Sequence, residues 1–204
     1  DLKTSPSVTI QNSPPVASDL SISPISPKTE DNLVGSYTYH DADGDPESGT
    51  EIRWYKNNLL QPAYNDQLTV PSSATAEGQT WYFTVRPRDG TEFGALSTSP
   101  SVTIGNTGPV ASNLQISPSS PKTTDNLVGS YTYHDADGDP ESGSEIRWYK
   151  NGALQSVYNN QLTVPSTATS KDEEWYFTVR PKDGTAFGNL KKSSNVIIKM
   201  TDLG

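Results

Sequence analysis

The residues that could do chemistry are carboxylates, and they stand in one ten-residue stretch that occurs twice. "HDADGDPESG" covers residues 40–49 and is repeated without change at residues 134–143. In each copy the acidic residues stand at alternate positions, so a tight turn lets their carboxylates converge on one point. Calcium takes about six to eight oxygen ligands, mostly from carboxylates, carbonyls and water. The spacing therefore predicts a divalent-cation site in each copy.

The ligand set is predicted from the loop and from a later "RDG" or "KDG" turn. The expected ligands are Asp41, Asp43, Asp45, Glu47 and Asp89 in the first copy, and Asp135, Asp137, Asp139, Glu141 and Asp183 in the second. The loop is not an EF-hand, because Pro46 and Ile52 stand where that motif has Gly and a bidentate Glu. The chain has no cysteine, and oxygen ligands favour calcium over zinc. The alternative is a metal-free turn whose Asp side chains cap nearby N–H groups.

The elements that must position these loops are predicted to be β-strands, because apolar side chains recur with a period of two. The positions that define them in the first copy are Leu20 and Ile22; Leu33, Tyr37 and Tyr39; Ile52 and Trp54; Leu59 and Leu60; Leu68 and Val70; Trp81, Phe83 and Val85; and Val102 and Ile104. Turn signals such as "DADGDP" and "PSSATAEG" separate them. About seven strands per copy predict an antiparallel β-sandwich, with Trp81 and Trp175 in its cores.

The chain is an internal repeat with a period of about 94 residues. Residues 12–104, from "NSPPVASDL" to "PSVTI", align without gaps to residues 106–198, from "NTGPVASNL" to "SNVII". The two copies are about 70% identical, which is typical of a tandem array. We therefore predict two complete domains, residues 12–104 and residues 105–204.

A further fragment of the repeat stands at the beginning of the sequence. Residues 4–10, "TSPSVTI", are identical to residues 98–104, the predicted last strand of the first domain. Residues 1–11 are therefore predicted to be the last strand of a preceding repeat. The alternative is a donor strand that completes the sheet of a neighbouring subunit by β-augmentation.

Three motifs carry a resemblance to a known class of domains. "EIRWYKN" resembles the tryptophan-bearing C strand of immunoglobulin-like domains, and "WYFTVRPKDG" resembles the F strand and F–G turn of PKD and cadherin-like repeats. "DADGDPES" is similar to the acidic loop of cadherin-like repeats in large bacterial and archaeal surface proteins. The resemblance covers both copies and implies two tandem immunoglobulin-like sandwiches. Because the cysteine pair of antibody domains is missing, the cores around Trp54 and Trp148 must hold by packing alone.

In such a sandwich the B–C loop, the F–G loop and the incoming segment lie at one end. We therefore expect the acidic loop of each domain to lie near the later turn and near the domain that precedes it. A preceding domain would present Glu30, Asp31 and Glu77 there, so calcium is expected to bridge and stiffen the junction across the short linker at residues 105–109. The second site is expected to be more complete than the first.

Composition excludes several other functions. The formal net charge of −9 disfavours binding to nucleic acid phosphates, and no apolar run approaches the length of a membrane span. His40 and His134 are the only histidines, and they are interpreted as strand-end residues instead of general bases. The protein is therefore predicted not to be an enzyme.

The sequence as a whole predicts a non-enzymatic structural or adhesive module on the surface of a bacterial or archaeal cell. It would form a calcium-stiffened stalk, a filament or a lattice, with identical repeats, a surface protein or a glycan as partners. One alternative is a filament subunit that polymerises through residues 4–10. Another is a glycan-binding module that uses an aromatic face. The tyrosines of that face would be Tyr55, Tyr64, Tyr82 and Tyr149.

Overall fold

The chain folds into two compact units of almost entirely β structure. A computed structural model describes residues 3–201, and it divides into a first unit that ends at Gly105 and a second that begins at Asn106. The regular structure of the described residues consists of strands and short 3-10 turns, without an α-helix. Accordingly, this part of the chain contains no helix long and apolar enough to cross a membrane.

The first unit is built from eight strand segments. They are β1 Val16–Ser23, β2 Leu33–His40, β3 Glu51–Lys56, β4 Leu59–Leu60, β5 Thr69–Val70, β6 Thr80–Arg86, β7 Ser97–Thr98 and β8 Val102–Thr103. One sheet has the order β1-β2-β5, and the other has the order β4-β3-β6-β7 with β8 also on β6. All of these pairings are antiparallel. The predicted all-β immunoglobulin-like sandwich is therefore confirmed.

The two sheets enclose an aromatic core. Trp54 of β3 and the β6 residues Trp81 and Phe83 are all fully buried. The ring centroids of Trp54 and Phe83 lie 5.0 Å apart. Those of Trp54 and Trp81 lie 6.5 Å apart in an edge-to-face arrangement. The indole N–H of Trp54 donates a 2.9 Å hydrogen bond to the carbonyl of Gln67. The predicted burial of the tryptophans is confirmed, and ring packing together with this hydrogen bond holds the core of a chain that has no cysteine.

Gly35 of β2 shows why the aromatic core fits between the sheets. A Cβ atom at this position would lie 2.9 Å from the ring of Phe83 and 3.2 Å from the ring of Trp54. The strand period turns residue 35 inward, since Leu33 is buried on the same face. Glycine is therefore required by the space that the two rings occupy.

The second unit repeats this architecture. Its strands are β9 Val110–Ser117, β10 Leu127–His134, β11 Glu145–Lys150, β12 Ala153–Leu154, β13 Thr163–Val164, β14 Glu174–Arg180, β15 Lys191–Lys192 and β16 Val196–Ile197. The sheets have the orders β13-β10-β9 and β12-β11-β14-β15, with β16 also on β14. Trp148, Trp175 and Phe177 are fully buried, as their counterparts are in the first unit.

The predicted closing strand at residues 98–104 is split in the structure. Strands β7 and β8 both pair with β6 but are separated by residues 99–101. The hydroxyl of Ser99 accepts a hydrogen bond from the amide of Phe83 at 3.0 Å. A side chain thus replaces one main-chain pairing. Residues after the split, Val102 and Ile104, are only 6% and 1% exposed.

The segment before β1 forms no strand in the part of the chain that the structure describes, residues 3–15. Val8 and Ile10 are 88% and 89% exposed, although the same sequence buries Val102 and Ile104. Pairing with a preceding repeat or with a neighbouring subunit stays a prediction. Residues 1 and 2 of this predicted strand, and residues 202–204 of the predicted second domain, lie outside the described residues.

Candidate cation site

The acidic loop and the later turn lie at the same end of the first unit. The loop connects β2 to β3, and Asp89 follows β6. The amide of Ser48 donates a 2.8 Å hydrogen bond to the carbonyl of Arg88, and Ser48 forms an isolated parallel bridge with Asp89. Main-chain contacts thus hold together the two stretches that supply the predicted ligands.

Asp41 organises the acidic loop from within. It is only 9% exposed, and its Oδ1 accepts hydrogen bonds from the amides of Asp43 at 2.8 Å and Asp45 at 3.1 Å. Gly44 allows the turn between them with a φ of +83°. The second oxygen, Oδ2, is buried without a hydrogen-bond partner among the described residues. Turn capping explains Oδ1 but leaves Oδ2 unexplained.

Asp89 is the second buried carboxylate of this site, with 8% exposure. Its Oδ1 accepts hydrogen bonds from the amides of Thr91 at 2.6 Å and Glu92 at 2.7 Å. Its Oδ2 accepts a 2.8 Å hydrogen bond from the side-chain amide of Asn12. The hydrogen bond from Asn12 is the main cause that lowers the pKa of Asp89 below its usual value, because it stabilises the charged form.

Asn12 was missed in the sequence-based ligand set. It lies in the segment that leads into β1, and its counterpart Asn106 makes the same bond to Asp183 at 2.9 Å. The signal was present in the repeat, because an Asn opens both "NSPPVAS" and "NTGPVAS". An amide carbonyl is also a good ligand for a hard cation.

The other predicted ligands of the first unit have individual roles. Asp43 accepts a 2.6 Å hydrogen bond from the amide of Ser13, while the main-chain carbonyl of Asp45 accepts the Tyr39 hydroxyl at 3.2 Å. The Oε1 of Glu47 accepts the hydroxyl of Tyr37 at 2.7 Å. Asp43 therefore connects the loop to the segment before β1. Glu47 instead connects the loop to a tyrosine of β2.

One tyrosine in each unit lies close enough to the acidic groups for their charges to raise its pKa. The pKa of Tyr39 is raised, first by desolvation and then by the negative charges of Asp41, Asp89, Glu47 and Asp45. In the second unit the pKa of Tyr133 is raised to about 12, first by burial and then by Asp135, Asp183, Glu141 and Asp139. Both loops therefore place predicted ligands within electrostatic reach of one tyrosine.

The site of the second unit has the same construction and more orphan oxygens. Asp135 is 8% exposed, and its Oδ1 accepts the amides of Asp137 and Asp139 at 2.8 and 3.2 Å. Asp137 in turn accepts the amide of Thr107 at 2.7 Å. In the described part of the unit, no hydrogen-bond partner meets the buried Asp135 Oδ2, Asn106 Oδ1 or Thr107 Oγ1.

The acidic groups meet only part of what a metal site requires. Within residues 3–201, no group of three or more His, Asp or Glu side chains has metal-site geometry as it stands. The orphan acceptors are nevertheless oxygens in an acidic setting, which are the donors that calcium prefers. The predicted ligand set stays a prediction.

The other sequence-derived candidates lie elsewhere. His40 and His134 are the last residues of β2 and β10. Tyr55 and Tyr82 stack on the outer face of their sheet with centroids 4.9 Å apart. Tyr64 instead packs against the buried Trp81 at 6.3 Å. The expected aromatic face of the first unit therefore contains two of its three predicted tyrosines.

Comparisons with known proteins give structural likenesses only. No protein-family model matches the chain, and no curated protein matches it. The FN1–FN3 domains of chicken CNTN1 match 92% of this chain and 66% of theirs at 9% identity and a TM-score of 0.40. The chicken interferon gamma receptor alpha chain matches 90% and 98% at 9% identity and 0.47. A two-domain fibronectin type-III segment of chicken tenascin matches 87% and 97% at 11% identity and 0.36. At these values they assign neither a family nor a function.

Proposed function

We propose that this protein is a non-enzymatic, extracellular structural module in which each sandwich binds calcium at its acidic end. The proposal rests on two closely similar β units in tandem, a construction that suits mechanical arrays. Its partners would be further copies of the repeat, or a protein or glycan on a cell surface. The formal charge of −9 suits attraction of cations to this surface.

The observation that carries the calcium proposal is a buried orphan oxygen in each unit. Oδ2 of Asp41 and Oδ2 of Asp135 are both buried without a hydrogen-bond partner in the described chain. Leaving a charged oxygen desolvated and unpaired costs free energy. A cation at that position would remove the cost. The residues that would hold it are Asp41, Asp43, Asp89 and Asn12 in the first unit, and Asp135, Asp137, Asp183 and Asn106 in the second.

The mechanical consequence follows from the residues that lead into each sandwich. Asn106 and Thr107 bond to Asp183 and Asp137, so the acidic loops already hold the chain just before β9. A cation shared by these groups would add metal-ligand bonds to the same segment. The entering chain would then lose freedom, and a linker of this kind would act as a stiff connector.

The second site has more buried oxygens without a hydrogen-bond partner than the first, among the described residues. It has the orphan amide oxygen of Asn106 in addition to that of the Asp135 carboxylate. In the first unit the corresponding buried orphan is the Asp41 oxygen. This difference supports the expectation that the site of the second unit binds calcium more tightly.

The proposal predicts that calcium removal loosens the protein. Adding a chelator should lower the midpoint of thermal unfolding and broaden the distance distribution measured by small-angle scattering. The matched control is Asp41→Asn combined with Asp135→Asn, whose scattering should not respond to chelator. Wild-type protein whose unfolding and scattering are both indifferent to chelator would contradict a calcium-stiffened module.

A further inference from the structure

A groove of about 500 Å³ opens on the outer face of the larger sheet of the first unit. The stacked rings of Tyr55 and Tyr82 form part of its wall. The other lining residues carry one side-chain amide and several hydroxyls, and they are Asn58, Thr80, Thr84, Thr98, Ser99 and Ser101. Every lining side chain is neutral, and none of them belongs to the predicted calcium ligands.

The second unit makes an intramolecular contact at the equivalent tyrosine. There Tyr149 and Tyr176 stack in the same way, with centroids 4.8 Å apart. The ammonium of Lys192 lies 3.9 Å from the ring centroid of Tyr176. Because Tyr149 covers one face of that ring, Lys192 occupies the other face in a cation–π contact.

The register identifies the residue that replaces this lysine in the first unit. Lys192 is paired with Thr178 of β14, and Thr98 is paired with the equivalent Thr84 of β6. Threonine is too short to cover the ring, so the corresponding face of Tyr82 borders the groove. The second unit also joins Asn195 to Glu174 by a hydrogen bond, where the first unit has the shorter Ser101 and Thr80.

We propose that the groove beside Tyr82 binds the ammonium group of a lysine side chain supplied by a basic segment of a partner protein. The ring face attracts a cation, as its counterpart does within the second unit. Hydroxyl oxygens such as those of Thr98 and Ser101 can accept the ammonium N–H groups. The acidic charge of the whole chain favours approach of a basic segment. This function is separate from the proposed calcium sites.

The test is a titration of the full chain with a blocked tetralysine peptide, followed by NMR signals of the tyrosine rings. Tyr82 should shift and saturate, whereas Tyr176, already covered by Lys192, should respond far less. The same peptide with acetylated lysines should leave Tyr82 unchanged, because it has lost its positive charge. Tyr82→Leu should abolish the localised response of the neighbouring Tyr55.

Thr98→Lys supplies the sharpest variant, since it installs the arrangement that the second unit already folds with. It should weaken peptide binding at Tyr82 by about two- to five-fold, the range of an exposed cation–π contact. The matched control is Ser21→Lys, which adds the same charge on the opposite sheet and should weaken binding less.

Three results would overturn the proposal. Equal shifts at Tyr82 and Tyr176 would show non-specific attraction to an acidic protein. Equal effects of Thr98→Lys and Ser21→Lys would show that net charge alone controls binding. A response of Tyr82 to neutral oligosaccharides without any response to tetralysine would make the groove a glycan site.

Discussion

Asp41 and Asp135 each use their two carboxylate oxygens differently. One oxygen accepts two amide hydrogen bonds and shapes the loop, and the other is buried without a partner in the described chain. A simple turn needs only the first oxygen. The second is the residue-level reason to place a cation at this loop, and it sets these two aspartates apart from Asp45 and Asp139.

The buried carboxylate of Asp183, like its counterpart Asp89, should contribute to the pH dependence of stability. The hydrogen bond from Asn106 is the main cause that lowers the pKa of Asp183. A carboxylate with a lowered folded pKa stabilises the fold above its ordinary pKa of about 4, and this stabilisation is lost as pH falls through the folded value. We therefore expect the free energy of unfolding of the second unit to fall below about pH 4.

Denaturant unfolding measured across that acid range checks this expectation. Asp183→Asn should lower stability at neutral pH and flatten the acid dependence, because the variant cannot be protonated there. Asp172→Asn, an exposed aspartate of the same unit, is the matched control and should retain the wild-type profile. An unchanged acid dependence in Asp183→Asn would show that this carboxylate does not contribute.

The sequence-based expectation that the acidic loop and the later turn share one end of the sandwich agrees with the main-chain contacts of Ser48 with Arg88 and Asp89. The sequence did not predict Asn12 or Asn106, because their recurrence at the start of both repeats does not indicate which groups their side chains contact. Nor did it predict that Glu47 would turn to Tyr37. Such choices depend on distances across strands, which alternating residue types do not encode.

At the scale of elements, the period-two pattern located the long strands well because one side of each sheet is buried. The inward positions of β3 and β6 hold the fully buried aromatic residues Trp54, Trp81 and Phe83 together with buried aliphatic side chains. The pattern did not predict the break between β7 and β8, where a serine hydroxyl takes over a main-chain bond. It also gave no sign of how closely the turn after β6 approaches the segment before β1.

Gly94 lies at that approach and provides an element-scale prediction. A Cβ atom there would lie 1.8 Å from the carbonyl oxygen of Pro15, so Gly94→Ala must push the two segments apart. We expect it to reduce the free energy of unfolding of the first unit by about 1–3 kcal/mol, the usual cost of overpacking. Chemical denaturation would measure this loss.

Gly105→Ala is the matched control. A Cβ atom at residue 105 would lie 3.6 Å from the main-chain carbonyl oxygen of Pro27, which is an ordinary van der Waals distance. This variant should leave stability nearly unchanged. If Gly94→Ala were as stable as Gly105→Ala, the close approach to Pro15 would be contradicted.

At the scale of the whole molecule, duplication gives two units with separate cores and similar acidic ends. Every member of each hydrophobic cluster comes from its own unit. The differences between the copies were visible in the sequence as Thr98 against Lys192, but their consequence was not. Only the stacked tyrosines show that one copy covers a ring face that the other leaves beside a groove.

Calorimetric titration of the metal-free chain with calcium measures whether each unit binds one calcium ion. We predict two sites per chain, the tighter one lost in Asp135→Asn and the weaker one lost in Asp41→Asn, because each variant removes the charge of the orphan carboxylate. Asp19→Asn, on the exposed surface of β1, should keep both sites. Absence of calcium-dependent heat in the wild-type chain, or binding unaffected by both Asp135→Asn and Asp41→Asn, would contradict calcium binding at the two acidic loops.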